Sequence, residues 1–221
     1  MRKSTSIWIC NRFRVAGALL GALVLAGCMD SGGGLVSRLS SPVDRVSVAG
    51  NQVTVAGPNG YCVDRSATRA RLQPAFVMMA SCAAVSRNAD APAPRVPALL
   101  TATVAQEPAP TPASQIEIEQ MRAFFASSPG RAALARDGRP DSVEILDMFR
   151  QSDVFFIHAS DQSAAAETNL RDDYWRAIFD VNGRTVSASL FVFRNRPISD
   201  DAGLSTLNEF ASRIRAASGG E

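Results

Sequence analysis

The sequence predicts an α+β domain on a largely antiparallel β-sheet, with helices in mid-chain and at the C-terminus. Three observations lead to this fold class. Short segments of alternating apolar residues gather around tight turns, of which Asn182-Gly183 is the clearest. Helical spacing of apolar residues begins after Ser114 and returns after Asp200-Asp201. Because the strands follow one another and the helices come in separate blocks, hairpins are expected rather than parallel crossovers.

The first expected element is a hairpin whose four valines share one face. Gly50-Asn51 would form its two-residue turn, with glycine at the first position as a type II′ turn requires. This loop length pairs Val48 with Val53 and Val46 with Val55. We therefore place the start of the folded domain at residue 43.

The next segments are expected to be buried strands joined by loops. The small and apolar run 75–84 suits a buried strand, which the expected disulfide would join to the segment at Tyr61, and residues 99–104 are a further strand candidate. Two Pro/Ala-rich segments, 89–97 and 105–113, are typical either of linkers between domains or of loops. We interpret them as loops within one domain covering 43–217, because neither half has an obviously complete core.

The mid-chain pattern indicates two short helices followed by two strands. Ser114 is a candidate N-cap of the first helix, Pro129 suits the first turn of the second, and Gly138 follows its end. Strand-like segments come next at 143–149 and 154–159.

The last hairpin should have a type I′ turn at Asn182-Gly183. Its apolar face pairs Phe179 with Val186, Ala177 with Ala188 and Trp175 with Leu190, whereas Arg176 and Ile178 lie opposite serines on a more polar face. An amphipathic helix over 202–217 follows. The hairpin and helix together resemble in pattern, over roughly 45 residues, the end of PsbP/Mog1-type domains.

The N-terminus has the layout of a secretory signal. Four basic residues precede an apolar run from Val15 to Ala26, which is too short to span a bilayer comfortably. Leu25-Ala26-Gly27-Cys28 then resembles the lipobox of bacterial lipoproteins. The resemblance implies cleavage between Gly27 and Cys28, removal of residues 1–27, and acylation of Cys28 with diacylglycerol and an N-acyl chain such as palmitate. The segment Gly60-Tyr61-Cys62-Val63-Asp64 also resembles uncharacterised lipoproteins of alphaproteobacteria.

A lipoprotein signal implies a location as well as an anchor. Residues 28–42, rich in glycine and serine, are expected to be a flexible tether between the lipid and the domain. The membrane, through the lipid on Cys28, is then the first expected partner. Lipoproteins with aspartate directly after the acylated cysteine tend to stay in the inner membrane. Met29 holds that position here, which favours the outer membrane, with the domain facing the periplasm.

Two cysteines remain once Cys10 leaves with the signal and Cys28 is acylated. In an oxidising compartment, Cys62 and Cys82 are expected to form a disulfide, the alternative being two buried free thiols. Two sulfurs and one histidine do not make a zinc shell, and no nucleotide or redox motif is present, so neither a metal nor a cofactor is expected.

The charge balance indicates no nucleic-acid partner. Removal of residues 1–27 takes away four basic and no acidic residues, which changes the formal net charge from +2 to −2. The overall positive charge therefore belongs to the leader, and the remainder gives no basic patch.

No sequence motif indicates an active site. His158 is the chain's single histidine and lies in a strand pattern, where a packed structural role is the commoner one. We therefore expect a non-enzymatic envelope lipoprotein whose domain binds a protein partner or supports an assembly. The alternative is a periplasmic enzyme or small-ligand-binding domain with a site assembled from dispersed residues, with His158 and Arg176 as candidates.

Overall fold

The computed structural model describes residues 42–163 and 168–219. The expected signal peptide, Gly27, Cys28 and all but the last residue of the expected tether lie outside the described residues. The described elements, in chain order, are β1 (Arg45–Val48), β2 (Val53–Ala56), β3 (Tyr61–Val63), β4 (Ala75–Ser81), α1 (Cys82–Ser86), β5 (Ala98–Val104), α2 (Ile118–Ala126), α3 (Ser128–Leu134), β6 (Val143–Gln151), β7 (Val154–Asp161), β8 (Leu170–Val181), β9 (Arg184–Phe193) and α4 (Asp200–Ala217).

The α+β fold class is confirmed. Seven strands of the described residues form one sheet in the order β3-β4-β5-β9-β8-β7-β6, and every neighbouring pair is antiparallel. The helices lie in mid-chain and at the C-terminus, with α1 as an additional short turn after β4. Among the strands that the structure describes, β1 and β2 pair with each other and with no other strand.

Both predicted hairpin registers are confirmed, and one turn type is wrong. Val48 pairs with Val53, and Trp175 pairs with Leu190, as the turn residues indicated. Asn182 and Gly183 both have positive φ, as a type I′ turn requires. Gly50 and Asn51 also both have positive φ, so the first turn is not type II′, in which the second residue has negative φ.

Two predicted element boundaries are corrected by the structure. The run 75–84 is a strand only to Ser81, because the chain turns into α1 at Cys82. Ser114 does not cap α2: it lies in a single 3₁₀ turn, Ala113–Gln115, and α2 begins at Ile118 without a side-chain cap. Ser127 instead caps α3, since its hydroxyl accepts the backbone N–H of Gly130 at 3.3 Å.

The predicted disulfide is present and joins β3 to the start of α1. Cys62 and Cys82 have their Cα atoms 4.7 Å apart, and the bridge closes a loop with a sequence separation of 20 residues. Such a loop contributes on the order of 3 kcal/mol in the chain-entropy model. The bridge links the edge strand β3, which is only three residues long, covalently to α1.

The two faces of the sheet are covered unequally. On the first face, α4 and the β1–β2 hairpin bury a continuous apolar core through residues such as Val53, Leu190 and Phe210. On the second face, α2 and α3 cover a smaller core centred on Phe155 and Tyr174. This second layer lies over the β6–β8 side of the sheet and leaves the β4–β5–β9 side partly open.

Candidate functional site

The open half of the second face forms a groove of about 540 Å³. Side chains of β4 and β5 alternate between buried and half-buried positions, and the half-buried set points to this face. The C-terminal end of α3 forms one wall. The described lining residues are Phe76, Met78, Leu99, Thr101, Thr103, Ala133, Arg136, Thr168, Leu170, Arg176, Ser187, Ser189 and Phe191.

The floor of the groove combines apolar and hydroxyl side chains. Phe76, Met78 and Leu99 offer apolar contact, while Thr101 and Thr103 place hydroxyl groups beside them on β5. Backbone groups of these central strands are already paired within the sheet. A molecule in the groove would therefore be held by side chains rather than by strand addition.

Arg176, one of the two candidates from the sequence, lies at the wall of this groove. Its Nε donates to Ser189 Oγ at 3.0 Å, and one Nη donates to the carbonyl of Ala133 at 3.2 Å. The guanidinium also lies 5.2 Å from the ring centroid of Tyr174. Burial raises the pKa of the Tyr174 hydroxyl, which donates to the carbonyl of Leu134 at 2.8 Å. These contacts fix Arg176 between the sheet and α3.

Arg136 supplies the second positive charge at the groove. Its guanidinium lies 4.9 Å from the ring centroid of Phe191, and its Nε is 3.9 Å from Asp161 Oδ2. Asp161 is fully buried and also accepts the backbone N–H of Arg136 at 2.8 Å. Arg136 is thus partly neutralised, whereas Arg176 has no ion pair within 4 Å among residues 42–163 and 168–219.

His158, the other candidate, lies on the opposite face of the sheet. In the β7–β8 register Ile157 pairs with Arg176 and His158 pairs with Trp175, and successive side chains of a strand point to opposite faces. The structure therefore does not bring His158 and Arg176 together in one site. Each has its own surroundings and can be tested separately.

The surroundings of His158 include two carboxylates that sequence spacing did not associate with it. His158 Nε2 lies 3.6 Å from Asp173 Oδ2, and a carboxylate oxygen of Asp200 completes a group whose members all lie within 4.8 Å of one another. Asp173 and Trp175 share a strand face, which the alternation of β8 could have shown. Asp200 starts α4, and only the tertiary fold brings it here.

Comparison with known proteins adds no assignment to this geometry. No family model, no curated protein and no solved structure matches the chain. Within the part of the chain that the structure describes, none of the helices is both long and apolar enough to cross a bilayer.

Proposed function

We propose that this chain is a lipoprotein of the cell envelope, anchored through Cys28 and facing the periplasm, whose domain binds a partner protein in the groove. The anchor is supported by the lipobox-like segment ending at Cys28. The binding role is supported by one observation above all, the half-covered second face of the sheet with Arg176 at its wall. We place the protein at the outer membrane because Met29 follows the anchor cysteine.

The groove suits a short extended segment of a partner. Its floor crosses β4, β5, β9 and β8, and three inter-strand spacings give a width of roughly 14 Å. About four extended residues cover that distance. Apolar side chains of such a segment would contact Phe76 and Leu99, and its polar groups would meet Thr101 and Thr103.

Charge complementarity indicates an acidic side chain in the partner segment. The charged side chains among the described lining residues are Arg136 and Arg176, and Asp161 already compensates the first. A guanidinium forms its strongest contacts with carboxylates, through parallel hydrogen bonds. We therefore infer that the partner presents an aspartate or glutamate to Arg176.

The anchor is tested by replacing the cysteine that would carry the lipid. Cys28→Ser should move the protein from the membrane fraction to the soluble fraction, because the acyl chains supply the stable attachment. Fractionation after a high-salt wash measures this, with Cys10→Ser as the matched control that should stay with the membrane. Retention of the Cys28→Ser protein in salt-washed membranes would contradict lipid anchoring.

The groove is tested by site-specific photo-crosslinking in the native envelope. A crosslinking residue at Thr101, on the groove floor, should capture a partner through an acidic segment, whereas the same residue at exposed Asn208 on α4 should not. Arg176→Gln should reduce capture by roughly tenfold or more, as loss of a partly buried charge pair does. Arg71→Gln, which changes an exposed arginine outside the groove, should leave capture unchanged.

Two results would overturn the groove as the binding surface. One is equal capture from positions 101 and 208, and the other is a crosslinked segment without an acidic residue. Circular dichroism of the Arg176→Gln protein shows whether the fold survives, since this side chain also contacts Ala133.

The alternative function, a periplasmic enzyme or small-ligand binder, is supported by a different observation. His158, Asp173 and Asp200 form a compact polar group beside buried Trp175, away from the groove. Loss of a phenotype in a His158→Ala protein that keeps its stability would favour this alternative. Loss of folding would indicate that His158 has a packing role.

A further inference from the structure

We propose that His158, Asp173 and Asp200 bind a divalent transition metal ion of the Zn²⁺ type. The three residues come from β7, β8 and the first turn of α4, and they lie on the face of the sheet opposite the groove. The proposal goes beyond partner binding, because it needs neither the anchor nor Arg176.

The spacing of the three ligand atoms suits a metal better than it suits a hydrogen bond. His158 Nε2 and Asp173 Oδ2 are 3.6 Å apart, which is longer than a hydrogen bond between these atoms. Two ligands placed about 2.0–2.1 Å from a tetrahedral Zn²⁺ are separated by roughly 3.4 Å. His158, Asp173 and Asp200 each offer one ligand atom that lies within 4.8 Å of the other two, so a small movement of the exposed Asp200 side chain would complete the triad.

Buried polar atoms at the cluster have no hydrogen-bond partner among the described residues. One is His158 Nε2, the nitrogen that faces Asp173, on a side chain only 13% exposed. The other is Trp175 Nε1, on a residue only 7% exposed that lines a small cavity together with Asp173 and Asp200. A metal ion would be coordinated by the His158 nitrogen. A water molecule or ligand bound to the metal would accept a hydrogen bond from the indole N–H of Trp175.

Two neighbouring contacts hold the ligands in position. The His158 ring stacks on Trp175 with centroids 4.2 Å apart and an interplanar angle of 11°, which fixes the plane of the imidazole. Arg171 Nε donates to Asp173 Oδ1 at 2.8 Å and leaves Oδ2 as the oxygen nearer His158. Hydrogen bonds of this kind orient the ligands of established metal sites.

The ligand chemistry selects the class of metal. The two carboxylates supply negative charge for a divalent cation, part of which Arg171 compensates at Asp173, and the imidazole favours Zn²⁺ and related transition metals. Ca²⁺ takes six to eight oxygen ligands and gains nothing from a histidine. Three protein ligands leave at least one coordination position for water or a small ligand, the arrangement found in catalytic rather than structural zinc sites.

The test is a calorimetric titration of the purified full chain with Zn²⁺ and, separately, with Ca²⁺. We expect one Zn²⁺ per chain at this cluster and much weaker Ca²⁺ binding. Asp200→Asn and His158→Phe should each weaken Zn²⁺ binding by about tenfold or more. Asp201→Asn is the matched control, because it removes the adjacent exposed carboxylate of the same helix and should leave the affinity unchanged.

Co²⁺ provides a second readout that reports coordination directly. A tetrahedral Co²⁺ site with nitrogen and oxygen ligands absorbs visible light, and this absorption should be present in the Asp201→Asn protein and absent in Asp200→Asn. Because free thiols also bind Zn²⁺, only a difference in metal binding between Asp200→Asn and Asp201→Asn would identify this cluster as the site. His158→Phe keeps an aromatic ring stacked on Trp175. If the His158→Phe protein fails to fold, Asp200→Asn still tests metal binding, because it changes an exposed side chain.

Three outcomes would overturn the proposal. They are the absence of Zn²⁺ binding, an equal loss of affinity in Asp200→Asn and Asp201→Asn, and Ca²⁺ binding as tight as Zn²⁺ binding. The last two would indicate a non-specific acidic surface at the start of α4. Crosslinking at Thr101 should be unaffected by these variants because the groove lies on the opposite face of the sheet, so failure of the metal site and failure of the groove remain distinguishable.

Discussion

The chain has two tyrosines, Tyr61 and Tyr174. Each is buried, and its hydroxyl group donates a hydrogen bond to a backbone carbonyl. Tyr61 donates to Val96 at 2.6 Å and so holds the Pro/Ala-rich loop against β3, while Tyr174 joins β8 to the end of α3. Burial raises the pKa of both phenols above the ordinary tyrosine value. Both therefore stay protonated in the folded state at a pH where exposed tyrosines ionise.

This burial predicts a loss of stability in alkali. A group whose pKa is higher in the folded state stabilises the fold below its unfolded pKa, and the contribution decreases as pH rises beyond that value. For tyrosine the decrease begins near pH 10. Tyr61→Phe should lower stability near neutral pH by about 1 kcal/mol through the lost hydrogen bond, and it should make the alkaline decrease shallower.

Urea unfolding at neutral pH and above about pH 10 measures both effects. The readout is simple because the sequence contains a single lysine, Lys3, and arginines do not titrate in this range. Near-ultraviolet phenolate absorbance should increase together with unfolding. A Tyr61→Phe, Tyr174→Phe double variant that kept the full alkaline decrease would contradict this explanation.

Helix α4 shows how one element combines signals that are each readable in the sequence. Ser199 accepts the backbone N–H of Ala202, and Asp200 and Asp201 place negative charge in the first turn. Leu207, Phe210, Ala211 and Ile214 then form the apolar stripe that lies on the sheet. The helix therefore serves both as the main cover of the first face and as the support of Asp200.

Removal of one α4 core side chain should be costly. Ile214 is fully buried against the first face, and Ile214→Ala should lower the free energy of unfolding by about 2–5 kcal/mol through the lost contacts and the resulting cavity. Asn208→Ala, on the exposed side of the same helix, should change it by less than about 0.5 kcal/mol. Similar losses for both variants, measured by urea unfolding, would mean that α4 does not cover the core.

Prediction of the elements from the sequence succeeded where nearby residues determine the backbone conformation. Asn182-Gly183 specified the turn, and the turn specified each pair from Val181–Arg184 to Trp175–Leu190. It failed where two local signals compete. Cys82 follows an apolar strand but begins a short helix, and Ser114 has the side chain of an N-cap but lies in a preceding 3₁₀ turn.

At the scale of the whole molecule, the strand order was beyond prediction from the sequence. The pairing of β5 with β9 joins Leu100 to Leu190 across a long separation that no turn residue encodes. The same limit applies to the sites. Alternation placed Arg176 on the more polar face, but the groove exists because α2 and α3 cover only part of that face. The proximity of Asp200 to His158 likewise depends on where α4 lies.

The central position of β9 has a consequence for the order in which the chain can fold. Residues 184–193 are synthesised late, yet they lie between β5 and β8 and join the two halves of the sheet. Until they emerge from the ribosome, β5 and β8 each present an unpaired edge, and such edges associate with other chains. A translation stop just before residue 184 therefore removes more than a C-terminal hairpin. It leaves two half-sheets without the strand that unites them, and a product prone to aggregation.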